Sequence, residues 1–334
     1  MRSANSNHER ARLAANTPRN AKRPRVPASL LTVAFAAVAV VVTACGSSGT
    51  ASGGATSSAS SSAAASLPSS DAAVSALVPA AIRKSGTLVI ASDATYAPME
   101  FVATDGHTII GADADLSHAL AAVMGLTPKL ENIPFDSIIP GLAAKRYDLG
   151  VSSFGETAER EKVVDFVSYA KAGQLFYVLA DGGPSITNMN QLCGQSMAVE
   201  AGTVEQSEAQ LQSSQCTKQG KGGVTIHVYG TQTAANLAVS SGRAKIGFAD
   251  SPVTAYVVAQ SNGKFRISGK GLLLYPGVYA IAIPKGSGMT KAVLAAVQAT
   301  MKDGTYAKIF RKWGLASSII SNPQINGSAN LLSP

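Results

Sequence analysis

The chain is 334 residues long, 46% apolar and 14% charged, which is enough apolar material for one large domain or two medium ones and too much for a disordered chain. Its formal charge of +8 is concentrated in residues 1–44, which hold seven Lys/Arg and one acid; the other 21 basic residues face 19 acidic ones, a balance of +2. Nucleic acid is thereby excluded as a partner, because the basic excess belongs to a leader and no basic stripe interleaved with aromatics follows it.

In chain order, a basic stretch, "KRPRVP", leads into "ASLLTVAFAAVAVVVTA" (28–44) and then Cys45. Seventeen mostly small apolar residues are short for a membrane span and read as a signal peptide. The end of this run, "VTAC", resembles the bacterial lipobox, in which small residues precede a cysteine that is lipidated and becomes N-terminal after cleavage. An uncleaved membrane anchor is the alternative, and the long basic stretch leaves a translation start after Met1 open. Both readings put the folded part outside the cytoplasm, held to the cell membrane. Residues 46–70 are almost entirely Ser, Ala, Gly and Thr, a composition that buries no core and is expected to be a flexible tether.

Structure is expected from about Ala72. "TLVIAS" (87–92) reads as a buried strand, "DLSHALAAVMG" (115–125) as an amphipathic helix and "PKLENI" as a strand. "FDSIIPGLAAKR" (135–146) reads as a helix and "YDLGVSS" as a strand, with a helix start at Thr157. The alternation then restarts. "QLCGQSMAVEAGT" (191–203) reads as helix end, strand and loop, "SEAQLQSSQ" as a helix, "VTIHVYG" as a strand, "TAANLAVSSGR" as a helix and "AKIGFADSP" as a strand and turn. Short apolar strands alternating with helices predict an α/β fold around mostly parallel strands, in two units of about 90 residues. "GVYAIAIPKGS" and a single helix over about 289–312 complete the chain.

With Cys45 assigned to lipid, Cys193 and Cys216 remain as an even pair in an oxidising compartment and are expected to form a disulfide. Closing a loop of about two dozen residues contributes roughly 3 kcal/mol in the chain-entropy model. His107, His118 and His227 are scattered without ligand spacing, so neither a metal nor a cofactor is expected.

Several ordered motifs resemble the amino-acid-binding family of solute-binding proteins of ABC importers: "LVIASDATYAPMEF", "GADADL", "FDSIIPGLAAKRYDL", "SSFGETAEREKVVDF", "AVEAGT", "GFADSP", "AIAIPKGS" and "DGTYAKIFRKWG". The resemblance runs from about Lys84 to Gly314. It implies two Rossmann-like lobes, 84–171 plus 279–325 and 175–275, joined by two crossover strands and closing over a ligand. It further implies partners, namely a free amino acid and a membrane permease, for a receptor that acts as a monomer.

A bound amino acid shows a carboxylate and an ammonium, and a dry cleft must satisfy both. For the carboxylate, the resemblance points to the Arg160 guanidinium, to backbone N–H groups at Ser153 and Gly155, and to Thr203. The alternative for Arg160 is a solvated ion pair with Glu156 or Glu161; that for Thr203 is an ordinary loop residue. Gly155 departs from the family, which usually has Ser or Thr there; the lost hydroxyl removes about 1 kcal/mol of a neutral hydrogen bond. Asp250 stands where the family grips the ammonium, although an Asp before Ser251-Pro252 also suits a turn. The side-chain pocket would be formed by Asp93, Tyr96, Phe135 and Glu200, the two aromatics being ordinary core otherwise. Glu200 occupies a position where the glutamine receptor has lysine, so two acids beside an aromatic box favour a cationic side chain. The same scaffold serves periplasmic cyclohexadienyl dehydratases, with Glu200 as a conceivable general acid, and ligand-sensing subunits. No His or Cys falls on a cleft motif, so binding is the preferred expectation and catalysis the alternative.

Overall fold

A computed structural model describes residues 67–269 and 274–327. The expected signal peptide, lipid site at Cys45 and tether up to residue 66 lie outside the described residues. Among the described residues no helix is long and apolar enough to cross a membrane.

The order starts with α1 (Ala72–Leu77), whose first N–H groups are capped by the Asp71 carboxylate, and α2 (Ala80–Ser85), which stops at Gly86 in the left-handed conformation. Val74 and Val78 anchor this segment in the first core. Strand β1 (Thr87–Ser92) follows, and then β2 (Thr95–Tyr96), β3 (Glu100–Val102) and β4 (Ile109–Ile110), which make a small antiparallel sheet of their own. Helix α3 (Ala112–Met124) begins three residues before the stretch expected to be helical, because Gly111 with φ 130° turns the chain tightly against Met99. Strand β5 (Thr127–Asn132), α4 (Phe135–Ala143), β6 (Leu149–Gly155) and the short α5 (Ala158–Glu161) complete the first run.

Strand β7 (Val164–Leu179) then carries the chain into the second half, which holds β8 (Ser196–Glu200), α6 (Val204–Lys218), β9 (Thr225–Tyr229), α7 (Gln232–Ser240), β10 (Ile246–Asp250), α8 (Ser251–Gln260) and β11 (Phe265–Ser268). The turn expected at Ser251-Pro252 is the first turn of α8, where a proline costs no intrahelical bond. Strand β12 (Leu274–Pro284) returns to the first half, followed by α9 (Thr290–Lys302) and α10 (Thr305–Lys312). The single helix expected over 289–312 is therefore two, broken at Gly304 with φ 82°.

The main sheet runs β5-β1-β6-β12-β7-β10-β8-β9, with β11 on β7. Strands β5, β1 and β6 are mutually parallel, as are β10, β8 and β9, so each half is an α/β layer of the kind the alternation predicts. The halves share only β7 and β12, which pair antiparallel through both; their register shifts between Leu274 and Gly277 and again between Tyr279 and Ala280. Separate cores fill the halves: β1, α3, α9 and α10 enclose one around Leu88, Leu120 and Phe310, and β8, β10 and α6 enclose another around Met197, Phe248 and Cys216. The fold is thus the expected pair of α/β lobes on two crossover strands.

Helix α6 contributes little apolar surface, and its buried set includes Glu205, Glu208 and Gln212. The disulfide between Cys193 and Cys216 fastens its C-terminal end to the turn before β8, as the cysteine pairing predicts.

Candidate functional site

Strands β1, β6, β8 and β10 all end at the gap between the lobes, the place where open α/β sheets bind ligands. Their last residues Gly155, Glu200 and Asp250, and Asp93 just after β1, reach one cavity of about 530 Å³, open solvent at its mouth included. Tyr96, Phe135, Ser153, Arg160 and Thr203 line it too, so all nine residues expected at a ligand site face one space.

Their hydrogen bonds separate local duties from available ones. Arg160 does not lie on a solvated helix face: its guanidinium sits over the rings of Phe135 and Phe154 and donates to the Gly155 carbonyl (2.6 Å) and, across the gap, to the Gly202 carbonyl (2.8 Å). Burial lowers its pKa while Glu205 and Asp250 raise it. Asp250 precedes α8 yet makes no capping bond with its side chain; the carboxylate accepts from the Tyr96 hydroxyl of the other lobe at 2.9 Å. Tyr96 packs in the first core and reaches the cavity with its hydroxyl, so it fills both of the roles considered for it. Phe135 stacks on Phe154 with ring centroids 4.7 Å apart.

Two expected donors are already engaged. The Ser153 N–H donates to Asp113 (2.9 Å) because φ at Ser153 is 49°, which turns that peptide away from the gap. The Thr203 hydroxyl caps α6, accepting from Gln206 N–H and donating to the Glu200 carbonyl. Asp93 accepts from Thr95 Oγ1 and from Phe135 N–H at the start of α4, and burial raises its pKa. Glu200 is 2% exposed, lies 3.5 Å from Thr95 Oγ1 and also faces the Gln232 backbone N–H. Burial, reinforced by the charge of Asp93, pushes its carboxyl up to about 9.

Sequence reasoning missed several lining residues: Glu100, Gln174, Glu205 and Tyr279. Glu100 lies within the quoted "YAPMEF" and Glu205 two residues after Thr203, but a surface carboxylate on a helix has the same local pattern. Only the fold shows that both are buried. Glu100 is fully buried beside Asp113, accepting from Ser152 Oγ at 3.0 Å, while Asp113 accepts from the Tyr169 hydroxyl. Burial first, and Asp113 next, raise Glu100 well above the carboxylate range; burial brings Asp113 to about 6.

The lining therefore holds five carboxyl groups, Asp93, Glu100, Glu200, Glu205 and Asp250, and one guanidinium, Arg160. Among the described residues no group of three or more potential ligands is arranged to hold a metal.

Residues 88–316 match the model of the bacterial extracellular solute-binding proteins, family 3. The chain is 33% identical over 261 residues to the arginine-binding protein ArgT of Corynebacterium glutamicum, covering 78% of this chain and 84% of that one. An ancestral arginine-binding protein bound to arginine superposes with a TM-score of 0.62 at 30% identity, covering 68% of this chain and 98% of that one. An ancestral amino acid-binding protein, described as a precursor of cyclohexadienyl dehydratase, gives 0.62 at 31% identity and covers 70% and 97%. These relatives are binding proteins and not enzymes.

Proposed function

The chain belongs to the bacterial extracellular solute-binding proteins, family 3, and from that premise we propose that it captures a cationic amino acid, arginine foremost, and hands it to an ABC permease. The observation that carries the reading is the charge of the cleft: five carboxyl groups face one guanidinium, so an incoming ligand of net positive charge relieves the imbalance. The arginine-binding relatives support the same choice.

In this reading the remaining N–H groups of Arg160, with backbone at Gly155 and Thr203, hold the ligand carboxylate; Ser153 is left to Asp113. Asp250 takes the ammonium. The side chain runs between Tyr96 and Phe135 toward Asp93 and Glu200, where a guanidinium supplies the positive partner that lets Glu200 ionise. Losing the hydroxyl at Gly155 leaves the carboxylate with the guanidinium and backbone donors.

Closure follows from contacts made by both lobes. Arg160 to Gly202, Tyr96 to Asp250 and Gln232 N–H to Thr95 Oγ1 all cross the gap. A ligand touching both sides stabilises the closed arrangement in proportion to its differential affinity. We place the lobe boundaries at 84–171 with 279–325 and at 175–275, with the register shifts of β12 in support. The lipid at Cys45 and the tether would hold a monomeric receptor near its permease and raise its effective concentration. Family membership places the chain outside the cytoplasm.

The test is a thermal-shift and calorimetry panel of amino acids on the purified protein. Arginine, lysine or ornithine at 100 times its dissociation constant stabilises by about 2.7 kcal/mol. Tighter binding of glutamate or aspartate than of arginine would refute the cationic assignment.

A further inference from the structure

One corner of the cleft holds groups to which the reading above gives no role. Glu205, the second residue of α6, is 3% exposed, and its Oε1 has no hydrogen-bond partner. Gln174 on β7, opposite Asp250 in the ladder, turns its amide toward Glu205 and leaves its own Oε1 buried and unpartnered. The Tyr279 hydroxyl on β12 is buried without a partner as well and faces Asp250. All three side chains are more than nine-tenths buried, and all line the cavity beside Asp250. A buried polar atom left without a partner destabilises the fold that holds it, so three in one corner point to a donor-rich group that completes them.

We infer that Glu205 is a second ligand carboxylate, forming with Asp250, Gln174 and Tyr279 an acceptor cup that grips the ammonium group of the ligand. The inference rests on the amino-acid reading of the cleft and adds a specificity-determining residue to it. An ammonium offers three N–H donors and no acceptor. Asp250 and Glu205 accept two of them, and Gln174 Oε1 or the Tyr279 oxygen accepts the third. The second negative charge of the cup is partly offset by Arg160, which interacts with both carboxylates.

The cup also exchanges a proton. Without ligand, the Glu205 and Asp250 carboxyls face each other closely enough to share one, and burial raises both pKa values. The other groups facing the pair are the Tyr96 hydroxyl, which bonds to Asp250, and the Glu200 and Glu208 carboxyls, which the charge of Glu205 helps to keep protonated. An arriving ammonium replaces the shared proton. The carboxyl O–H breaks, the ligand keeps its three N–H bonds, and the proton passes to solvent.

The test is calorimetric titration of L-arginine at pH 7 in two buffers of different ionisation enthalpy, which counts protons released on binding. Glu200 contributes its own proton, so the comparison is between wild type, Glu205→Gln and Glu200→Gln. Glu205→Gln is expected to release about one proton fewer than wild type and to bind roughly 10- to 100-fold more weakly, the loss of one charged hydrogen bond. Unchanged release and affinity would overturn the inference. If the variant fails to fold, wild type titrated with 5-guanidinopentanoate, which is arginine without its ammonium, replaces it: release lower by about one proton supports the cup, and equal release overturns it. If arginine, lysine and ornithine all fail to bind, the cationic side-chain reading falls alone. The titration is then repeated with whichever of the twenty amino acids gives the largest thermal shift, since each presents the backbone amine. If none binds, both readings fall.

Discussion

Replacing Gly202 by alanine separates the cost of a strained backbone from the cost of a blocked cleft. Gly202 lies between β8 and α6 at φ +76°, where an L-residue costs roughly 1–2 kcal/mol whether the lobes are apart or together. A Cβ placed there would stand 2.8 Å from Asp136 Cβ and 3.0 Å from Asp136 Cα, on the first turn of α4 in the opposite lobe. One of those atoms is backbone, so a rotamer change cannot relieve the overlap, and the overlap exists only when the lobes meet. Overpacking of this kind costs about 1–3 kcal/mol, which weakens ligand binding by roughly 5- to 150-fold. Calorimetry with arginine reads the second cost, and urea unfolding of the ligand-free protein reads the first. Asp136→Gly in the same chain removes the nearer atom and is expected to recover part of the affinity and none of the backbone strain. An affinity within about twofold of wild type, far below the 1–3 kcal/mol of overpacking, would show that the lobes do not meet at Gly202 and Asp136 in the bound protein.

Three further outcomes follow from the buried acids and the disulfide. Burial pushes both Glu200 and Glu208 up to about 9 from an ordinary 4.5, so the folded chain holds more protons than the unfolded one between those values. The stability that these two groups contribute to the ligand-free protein is complete below pH 4.5 and is lost as the pH rises toward 9; a urea midpoint equal at pH 5 and pH 8 would contradict this. Glu208, whose two carboxyl oxygens have no hydrogen-bond partner, lies outside the cavity lining; Glu208→Gln cannot ionise in the unfolded chain and is expected to raise the urea midpoint at pH 8 while changing it little below pH 4.5. Reducing Cys193–Cys216, a closure of 23 residues, is expected to lower unfolding stability by roughly 3 kcal/mol, read as a fall in the urea midpoint with a reductant.

The sequence by itself determined the alternation of strand and helix in each half, because strand and helix periodicities are local: "TLVIAS" is β1 residue for residue, and Thr157 caps the helix that follows. It also determined which loops meet, since residues at the C-terminal ends of parallel strands converge wherever the strands share a sheet. It did not reveal that α9 and α10 are separate, because a glycine in a helical pattern is legible as a break only through its dihedral angle. Tertiary structure alone decided the duties of the polar groups. Ser153 and Thr203 looked like ligand donors and are engaged with Asp113 and with the start of α6. Glu205 and Glu100, to which the sequence assigned no role, are buried against the cavity. Burial, and the partner Ser153 finds, come from contacts between residues far apart in sequence, which no local pattern records; Ser153 and Asp113 stand 40 apart in sequence and 2.9 Å apart in the folded chain.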